Sequence, residues 1–481
     1  PVRACFLDKQ LMICVRLRGG GCCPSCMKVT SVDHIQLLST PSTHGLSDSV
    51  EMGDSDFTAL PPTSTEPADS LAPLWDALAR SHDGVREVRL LRLSWVTAQA
   101  KAERPLPRRQ DLERTAPEAF LDPDELRLLP TGPQGQLPLL VVSYAWESAE
   151  HPDPKAATLK ALCNGLQRTR LHAFPDEGAV FLDWCSLCQH KSGGERRNAA
   201  EERAFRGALG CMHLLYAHPL TTVALMTGTT VTARERHGFR PYADRGWPTF
   251  ESRVAVLIKR ASDDCWDTCF EVFDGKEARA RMRSPPLTPE QFDEELQSKH
   301  FTNGADKKVV SGLYRRTVHE FLARASELQL CALAWKDAEA FQLARALPLC
   351  TCLTSLNLAQ NKLGSEGVSA LCKWVGRLLA LDLSGNPMGE AGLAALAVVC
   401  GDELSLALRD VSLPDDFSPL TYAAAHGHER LVCALLRGGA RLVEADAAGR
   451  TARLAAAMTD ALVPPYPAPP QVRSGALVVD A

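Results

Sequence analysis

A leucine pattern that recurs every 25 residues constrains this chain more than any other feature. The pattern L-x-x-L-x-L-x-x-N-x-L is occupied first by Leu353, Leu356, Leu358, Asn361 and Leu363, and again by Leu378, Leu381, Leu383 and Asn386. Two glycines recur at the same offset. Each leucine is expected to fill a core, and each asparagine to satisfy backbone groups where the chain turns away from its strand. The repeat therefore predicts a short solenoid.

Weaker copies of the pattern flank the two clear ones. They are carried by Leu328, Cys331 and Leu333 on one side and by Leu406, Leu408 and Leu413 on the other. Degenerate terminal copies are typical of capping repeats. Residues 328–413 resemble leucine-rich repeats of the ribonuclease-inhibitor type, which implies an α/β solenoid that binds other proteins. We expect Asn357 and Asp382, which lie between paired leucines, side by side on its exposed face.

A second kind of repeat follows within residues 414–460. The segment 418–428 reads S-P-L-T-Y-A-A-A-H-G-H and resembles the T-P-L-H-x-A-A-x-x-G-H signature of ankyrin repeats. Thr451 stands one ankyrin period of 33 residues after Ser418, but Ala452 and Arg453 break the second copy. The resemblance implies α-helical repeats that pack on the solenoid and help to bind a protein partner. A Pro-rich tail is expected over 461–481.

Short apolar runs alternate with amphipathic helical stretches between residues 137 and 280. The runs are 139–142, 179–182, 222–226 and 269–273, and a helix is expected from about Trp247 to Ala261. This alternation predicts an α/β domain with a parallel sheet covered on both faces. Before it we expect a lead-in with a Pro-rich connection over 71–136. After it, a linker at Ser284-Pro285-Pro286 should precede a helical connector over 287–327.

Polar and aromatic residues follow the predicted strands, at the edge where open parallel sheets bind their ligands. Ser143, Tyr144 and Trp146 follow the first strand, and Asp183 follows the second. Glu251 lies next to an apolar helical face and four residues after Trp247. A carboxylate so placed is partly desolvated, which favours a raised pKa and a functional role. The alternative is a solvated glutamate near a helix N-terminus.

Four segments in this region resemble, in order, the blocks of fungal heterokaryon-incompatibility domains, which are relatives of TIR domains. They are V-S-Y-A-W at 142–146, Asp183 with Gln189, M-x-x-L-Y at 212–216 and R-G-W-P-T-F-E at 245–251. Glu147 departs from the glycine that usually follows the Trp of the first block. The resemblance implies a TIR-like, flavodoxin-like fold. It also implies that Glu251 could cleave NAD as a substrate by stabilising the charge that develops when the glycosidic bond breaks.

The same resemblance implies a ligand site lined by Ser143, Tyr144, Trp146, Asp183 and Trp247. It leaves open whether the domain is an NAD glycohydrolase, because many TIR relatives act as interaction domains. No bound cofactor or metal is expected. Cys23 and Cys26 have the spacing of half a zinc site, but a second such pair is absent. Cys185 and Cys188 with His190 could form a metal or redox site, but this pair follows a buried strand and coincides with the resembling motif.

The overall composition limits which classes of partner and which cellular compartment the sequence favours. A net charge of −5 gives no overall basic field for nucleic acid, and no apolar run is long enough to cross a membrane. The 17 cysteines are odd in number and scattered, which favours a reducing, cytoplasmic setting. Residues 1–70 are expected to hold cysteines and then a disordered stretch. Because the chain starts at Pro1, we expect a further segment before it.

Together these features predict an intracellular signalling or recognition protein. In this interpretation the TIR-like domain is the effector, and the leucine-rich and ankyrin repeats recruit a protein. The alternative is a non-enzymatic scaffold in which the TIR-like domain self-associates. A third interpretation, a metabolic NAD hydrolase without partners, leaves the repeats unexplained.

Overall fold

The computed structural model describes residues 70–148, 150–167, 177–190, 196–228, 240–259, 268–273, 277–280, 283–411 and 413–452. All of them belong to one compact unit, Asp54–Ala481. The predictions for Cys23 and Cys26, for the rest of the N-terminal segment, for the ankyrin copy beyond Ala452 and for the Pro-rich tail lie outside the described residues. None of the described helices combines the length and the apolarity that crossing a bilayer demands.

Nine strands form the first part of the fold. They are β1 (Ser81–His82), β2 (Val85–Arg86), β3 (Leu90–Arg92), β4 (Phe120–Leu121), β5 (Leu139–Tyr144), β6 (Ala179–Phe181), β7 (Thr222–Met226), β8 (Cys269–Phe273) and β9 (Glu277–Ala280). Strands β1 and β2 form a small antiparallel hairpin. The other seven form one sheet in the order β4-β3-β6-β5-β7-β8-β9. The apolar runs predicted from the sequence are therefore strands of one sheet.

The centre of this sheet is parallel and its edges are not. Strands β6, β5, β7 and β8 run parallel, whereas β3 and β4 on one side and β9 on the other are antiparallel to their neighbours. The prediction of a parallel sheet in an α/β fold is thus confirmed at the centre. The antiparallel edge strands lie outside the predicted apolar runs: β3 and β4 come from the lead-in before Leu139, and β9 follows the last run.

Helices cover both faces of the sheet. They are α1 (Ala72–Ala79), α2 (Leu93–Lys101), α3 (Arg109–Thr115), α4 (Pro123–Leu128), α5 (Ala157–Leu166), α6 (Asp183–Ser186), α7 (Ala199–Ala217) and α8 (Gly246–Val254). Leu139 and Val141 pack into one apolar core, and Leu140 and Val142 pack into the other. This alternation is why β5 reads as a continuous apolar run. Helix α8 ends seven residues earlier than expected, at Val254.

The helical connector packs against the sheet domain. It contains α9 (Pro289–Gln297) and α10 (Asp306–Thr317), and it ends in a π-helical turn, Val318–Leu322. The predicted capping box is present, because the Thr288 hydroxyl accepts the Gln291 N–H. The prediction of a linker at Ser284-Pro285-Pro286 is wrong, because Pro285 and Pro286 are buried. This segment is therefore part of the packed interior and not an exposed linker.

The leucine repeats form a four-stranded parallel sheet backed by helices. The strands are β10 (Glu327–Gln329), β11 (Ser355–Asn357), β12 (Ala380–Asp382) and β13 (Ser405–Ala407), and the helices are α11 (Asp337–Ala346), α12 (Ser365–Val375) and α13 (Gly389–Val399). Leu328, Leu356, Leu381 and Leu406 pair in register and are buried. The weak flanking copies are therefore strands of the same solenoid.

The two asparagines of the pattern hold the turns together, as the sequence predicted. Asn361 accepts the backbone N–H of Leu333 and of Trp335, and it donates to the carbonyl of Leu330 and of Leu358. Asn386 repeats this arrangement one turn later. Each asparagine thus links the strand ends of consecutive repeats.

A helical pair closes the C-terminal end of the solenoid. It consists of α14 (Pro419–Ala425) and α15 (Glu429–Arg437). Gly438 follows α15 and lies so close to the Leu406 carbonyl that any side chain there would collide with it. The Arg437 guanidinium also donates to the Leu404 carbonyl at 2.9 Å. The last strand of the solenoid is therefore covered and not left as a free edge.

The Asn361 network predicts a large stability effect from one side chain. Asn361→Ala should lower the free energy of unfolding by about 2–4 kcal/mol, because it leaves several buried backbone groups unsatisfied. Asn357→Ala is the matched control: that side chain is half-exposed and makes two hydrogen bonds, so its loss should cost about 1 kcal/mol. Urea unfolding followed by circular dichroism measures both. Equal effects would show that the buried ladder does not stabilise the solenoid.

Candidate functional site

Two carboxyl groups lie at the carboxyl edge of the parallel sheet. Ser143 and Tyr144 end β5, Asp183 begins the short helix that follows β6, and Glu251 reaches the same edge from α8. The Ser143 hydroxyl donates to Oε2 of Glu251 and lies 2.6 Å from the Tyr242 hydroxyl. The predicted residues Ser143 and Glu251 are therefore in direct contact.

Glu251 sits in an environment that opposes its ionisation. Its side chain is 6% exposed. Burial, with a further contribution from the charge of Asp183, raises its pKa to about 8, although hydrogen bonds from Ser143 and Tyr216 act in the opposite direction. A buried carboxyl that few donors compensate favours its neutral form. Near neutral pH Glu251 is therefore mostly a protonated acid.

Asp183 occupies a more open and better-bonded position beside it. Its carboxylate accepts the Trp146 indole N–H at 2.9 Å, the Trp184 backbone N–H at 2.6 Å and the Tyr144 hydroxyl. Partial burial still raises its pKa, and these three donors offset part of that rise. Trp146 and Trp184 meet edge to face, with ring centroids 5.4 Å apart. Tyr144, Trp146 and Asp183 thus form one group, as the sequence suggested.

The structure does not bring Trp247 to these carboxyls. Its indole N–H donates to Oδ2 of Asp306 on α10 at 3.0 Å, and its ring packs edge to face on Phe250. Trp247 and Glu251 share a helix, but Trp247 contacts the connector whereas Glu251 contacts β5. The spacing of four residues therefore does not place both side chains in one pocket here.

Two tyrosines at the site carried little or no sequence signal. Tyr216, from α7, is hydrogen-bonded to Glu251 and lies 3.3 Å from the Val142 carbonyl. It is the last residue of the M-x-x-L-Y block, so the resemblance could have located it. Tyr242 lies in a 3-10 turn, Tyr242–Asp244, which has no periodic pattern. Its position follows from tertiary packing alone.

Tyr242 covers the Ser143 side of the cluster. Its hydroxyl lies 2.6 Å from the Ser143 hydroxyl, and its side chain is buried. A separate cavity of about 20 Å³, room for a single water molecule, lies beside Tyr144 and Trp184 on the other face of β5. Neither Ser143 nor Glu251 lines that cavity.

The second cysteine pair with metal-ligand spacing, Cys185 and Cys188, is buried in the core of the domain. The Cys185 thiol donates to the Pro107 carbonyl, and burial raises its pKa well above the usual range. A thiol with that environment is a poor thiolate ligand. Within the described part of the chain, no three His, Cys, Asp or Glu side chains are grouped as metal ligands.

The raised pKa of Glu251 predicts a pH-dependent stability. Because its folded-state pKa of about 8 exceeds the ordinary 4.5, the stabilisation is complete below about pH 4.5 and is lost as the pH rises through about 8. Urea unfolding should therefore show that the free energy of unfolding of the wild type falls relative to that of Glu251→Gln as the pH rises over this range. Glu294→Gln, at an exposed position on α9, is the control and should track the wild type. A constant difference between wild type and Glu251→Gln would contradict the assignment.

Comparison with known proteins identifies the repeat region. Residues 349–372 and 378–397 match the family model described as Leucine Rich repeat. No match to a TIR, heterokaryon-incompatibility or ankyrin family model is found. No curated protein matches the chain. The chain therefore contains leucine-rich repeats, a module that generally mediates protein interactions, within a mixed α/β fold.

Proposed function

We propose that this protein recognises a protein partner with its leucine-rich solenoid and responds through a TIR-like α/β domain. The observation that carries the proposal is the exposed strand face of the solenoid, where Asn357 and Asp382 are direct neighbours in register and half-exposed. Such faces vary in their side chains without disturbing the leucine core. The helical pair after the solenoid covers its last strand and adds to the same recognition unit.

The order of the central strands supports the TIR-like part of the proposal. Counted along the chain, the four parallel strands β6-β5-β7-β8 stand in the order second, first, third, fourth. This is the order of flavodoxin-like sheets, which bind ligands at the carboxyl edge. Ser143, Asp183 and Glu251 lie at that edge. The four sequence blocks resembling heterokaryon-incompatibility domains contribute residues to the same place.

Contacts through the connector would let the solenoid influence Glu251. The connector binds on both sides of the helix that carries this residue: Asp306 accepts the Trp247 indole, and Glu295 forms a bidentate pair with Arg253 at 2.9 and 3.0 Å. Lys299 also donates to the Ala243 carbonyl at 2.8 Å, next to Tyr242. A partner that shifts the connector would therefore shift both Tyr242 and α8.

The chemistry we propose for the TIR-like domain is cleavage of the glycosidic bond of NAD. The nicotinamide ring of NAD carries a positive charge, and an adjacent cation lowers the pKa of a buried carboxyl. Substrate would thus convert Glu251 into the carboxylate that stabilises an oxocarbenium-like transition state. Ser143 and Tyr216 would hold that carboxylate in place.

A second candidate function is that of a scaffold without enzymatic activity. It is favoured by the burial of Glu251 and by the Tyr242 hydroxyl, which occupies the hydrogen-bonding position on Ser143 that a ligand would need. In that case the carboxyl cluster stabilises the domain, and the domain contributes by self-association.

The recognition proposal predicts that one charge on the strand face controls partner binding. A protein captured by the full chain is first identified and purified, and its Kd is then measured by isothermal titration. Asp382→Lys should weaken binding by about tenfold or more, because a charge reversal at a contact costs about 1.4 kcal/mol or more. Glu366→Lys, on the exposed helical side of the solenoid, is the control and should bind normally. Unchanged binding by Asp382→Lys would place recognition elsewhere.

The enzymatic proposal predicts NAD cleavage that depends on Glu251. The full chain, incubated with NAD with and without the identified partner, should release free nicotinamide, which is measured by chromatography. Glu251→Gln should lower the rate by about a hundredfold or more, because it removes the charge that the transition state requires. Glu294→Gln, the exposed control, should retain the full rate. Absence of nicotinamide in every condition would leave the scaffold as the function of this domain.

A further inference from the structure

Arg89 stands at the carboxyl edge of the sheet, away from the Glu251 cluster. It directly precedes β3, which runs antiparallel to β6, so it lies level with the end of β6. Its backbone N–H donates to the Ser186 carbonyl at 3.0 Å, which fixes the position of its Cα. Its guanidinium lies over the Phe120 ring, 4.5 Å from the centroid. The side chain is therefore held by stacking.

The guanidinium of Arg89 has no acceptor among the residues that the structure describes. Its Nε is buried without a hydrogen-bond partner, and no ion pair or side-chain hydrogen bond joins it to another described group. Burial lowers its pKa below the usual value of an arginine. An arginine stays charged even so, and Arg89 as a whole is half-exposed, so solvent or a ligand can reach the guanidinium beyond its buried Nε. A buried donor without an acceptor marks a place where a ligand can supply the missing oxygen atoms.

The two arginines near Arg89 already have hydrogen-bond and ion-pair partners. The buried Arg109 donates to three backbone carbonyls and pairs with Glu113 at 3.0 Å. Arg86 lies 3.7 Å from Asp122 and reaches the Leu78 carbonyl at 3.4 Å. Asp122 and Glu113 thus have other arginines as their closest partners, and they act on Arg89 only through their charge, which offsets part of the effect of its burial.

Arg89 lines a cleft that is large enough for a ligand. The cleft has a volume of about 320 Å³, and Arg86, Glu113 and Phe120 also line it. This is the size of a small-molecule site. Its wall carries two guanidinium groups against one carboxylate, Glu113, which is itself paired with Arg109, so the balance of charge favours an anion. The planar fork of an arginine matches the paired oxygens of a phosphoryl or carboxylate group.

From these contacts we infer that the cleft at Arg89 is a binding site for a small oxyanion, either a phosphoryl or a carboxylate group. Arg89 is the residue that recognises it, through the N–H groups that lack an acceptor. Phe120 holds the Arg89 guanidinium by stacking. The site shares no lining residue with the Glu251 cluster and does not depend on the proposed enzymatic activity.

Isothermal titration of the full chain with inorganic phosphate and with succinate tests this site, because the two probes separate phosphoryl from carboxylate recognition. The salt concentration is matched with chloride throughout. At least one probe should bind saturably, with a millimolar or tighter Kd. Arg89→Gln should weaken that binding by about tenfold or more, and Arg89→Lys should weaken it less, since it keeps the charge and loses the fork.

Arg92→Gln is the matched control. Arg92 lies three residues further along and already donates to Glu125 and to the Glu118 carbonyl, so its loss should leave the Kd unchanged. Arg89→Gln breaks no hydrogen bond with a described residue and loses only the contact with Phe120, so its Tm without anion should fall by no more than about 5 °C, which excludes unfolding as the cause. Saturable binding that Arg89→Gln retains, or failure of both probes to bind the wild type, would overturn the assignment.

Discussion

A buried guanidinium joins the sheet domain to the solenoid, and the rest of the architecture depends on it. Arg283 donates to the carbonyls of Val256 and Leu257 after α8 and to the carbonyl of Gln329 on the first solenoid strand. Its own carbonyl accepts the Trp335 indole at 2.7 Å. Its pKa is lowered to about 10, so it remains charged near neutral pH. Separating the two halves would leave this charge buried without its acceptors, which is strongly unfavourable.

The connector and Arg283 hold the two ends of the helix that carries Glu251. Helix α8 carries Glu251 and is fixed at its start by Asp306 of the connector and just beyond its end by Arg283. Gly246 opens the helix against the Phe301 ring, where a side chain would collide. The position of α8, and with it that of Glu251, therefore depends on contacts with both the connector and Arg283.

The sequence predicted the features that local periodicity encodes. The 25-residue spacing of Leu356 and Leu381 predicted the solenoid and the register of its strands. The apolar runs around Val141 and Val223 predicted two of the parallel strands. The strand-end residue Ser143 was placed correctly at the sheet edge, because strand direction decides that edge. Other features depend on contacts between distant segments: Tyr242 on Ser143, Trp247 on the connector, and the buried prolines before α9. Such contacts leave no periodic signal, so the sequence could not show them.

The two carboxyls of the cluster differ in what surrounds them, and that difference decides how strongly each is held by hydrogen bonds. Asp183 is partly exposed and accepts an indole, a phenol and a backbone N–H, whereas Glu251 is deeper and is bonded to hydroxyl groups. Burial raises the pKa of both carboxyls, and the charge of Asp183 adds to the rise at Glu251. With a pKa of about 8, Glu251 is mostly neutral near pH 7, and a cationic group beside it would favour its charged form.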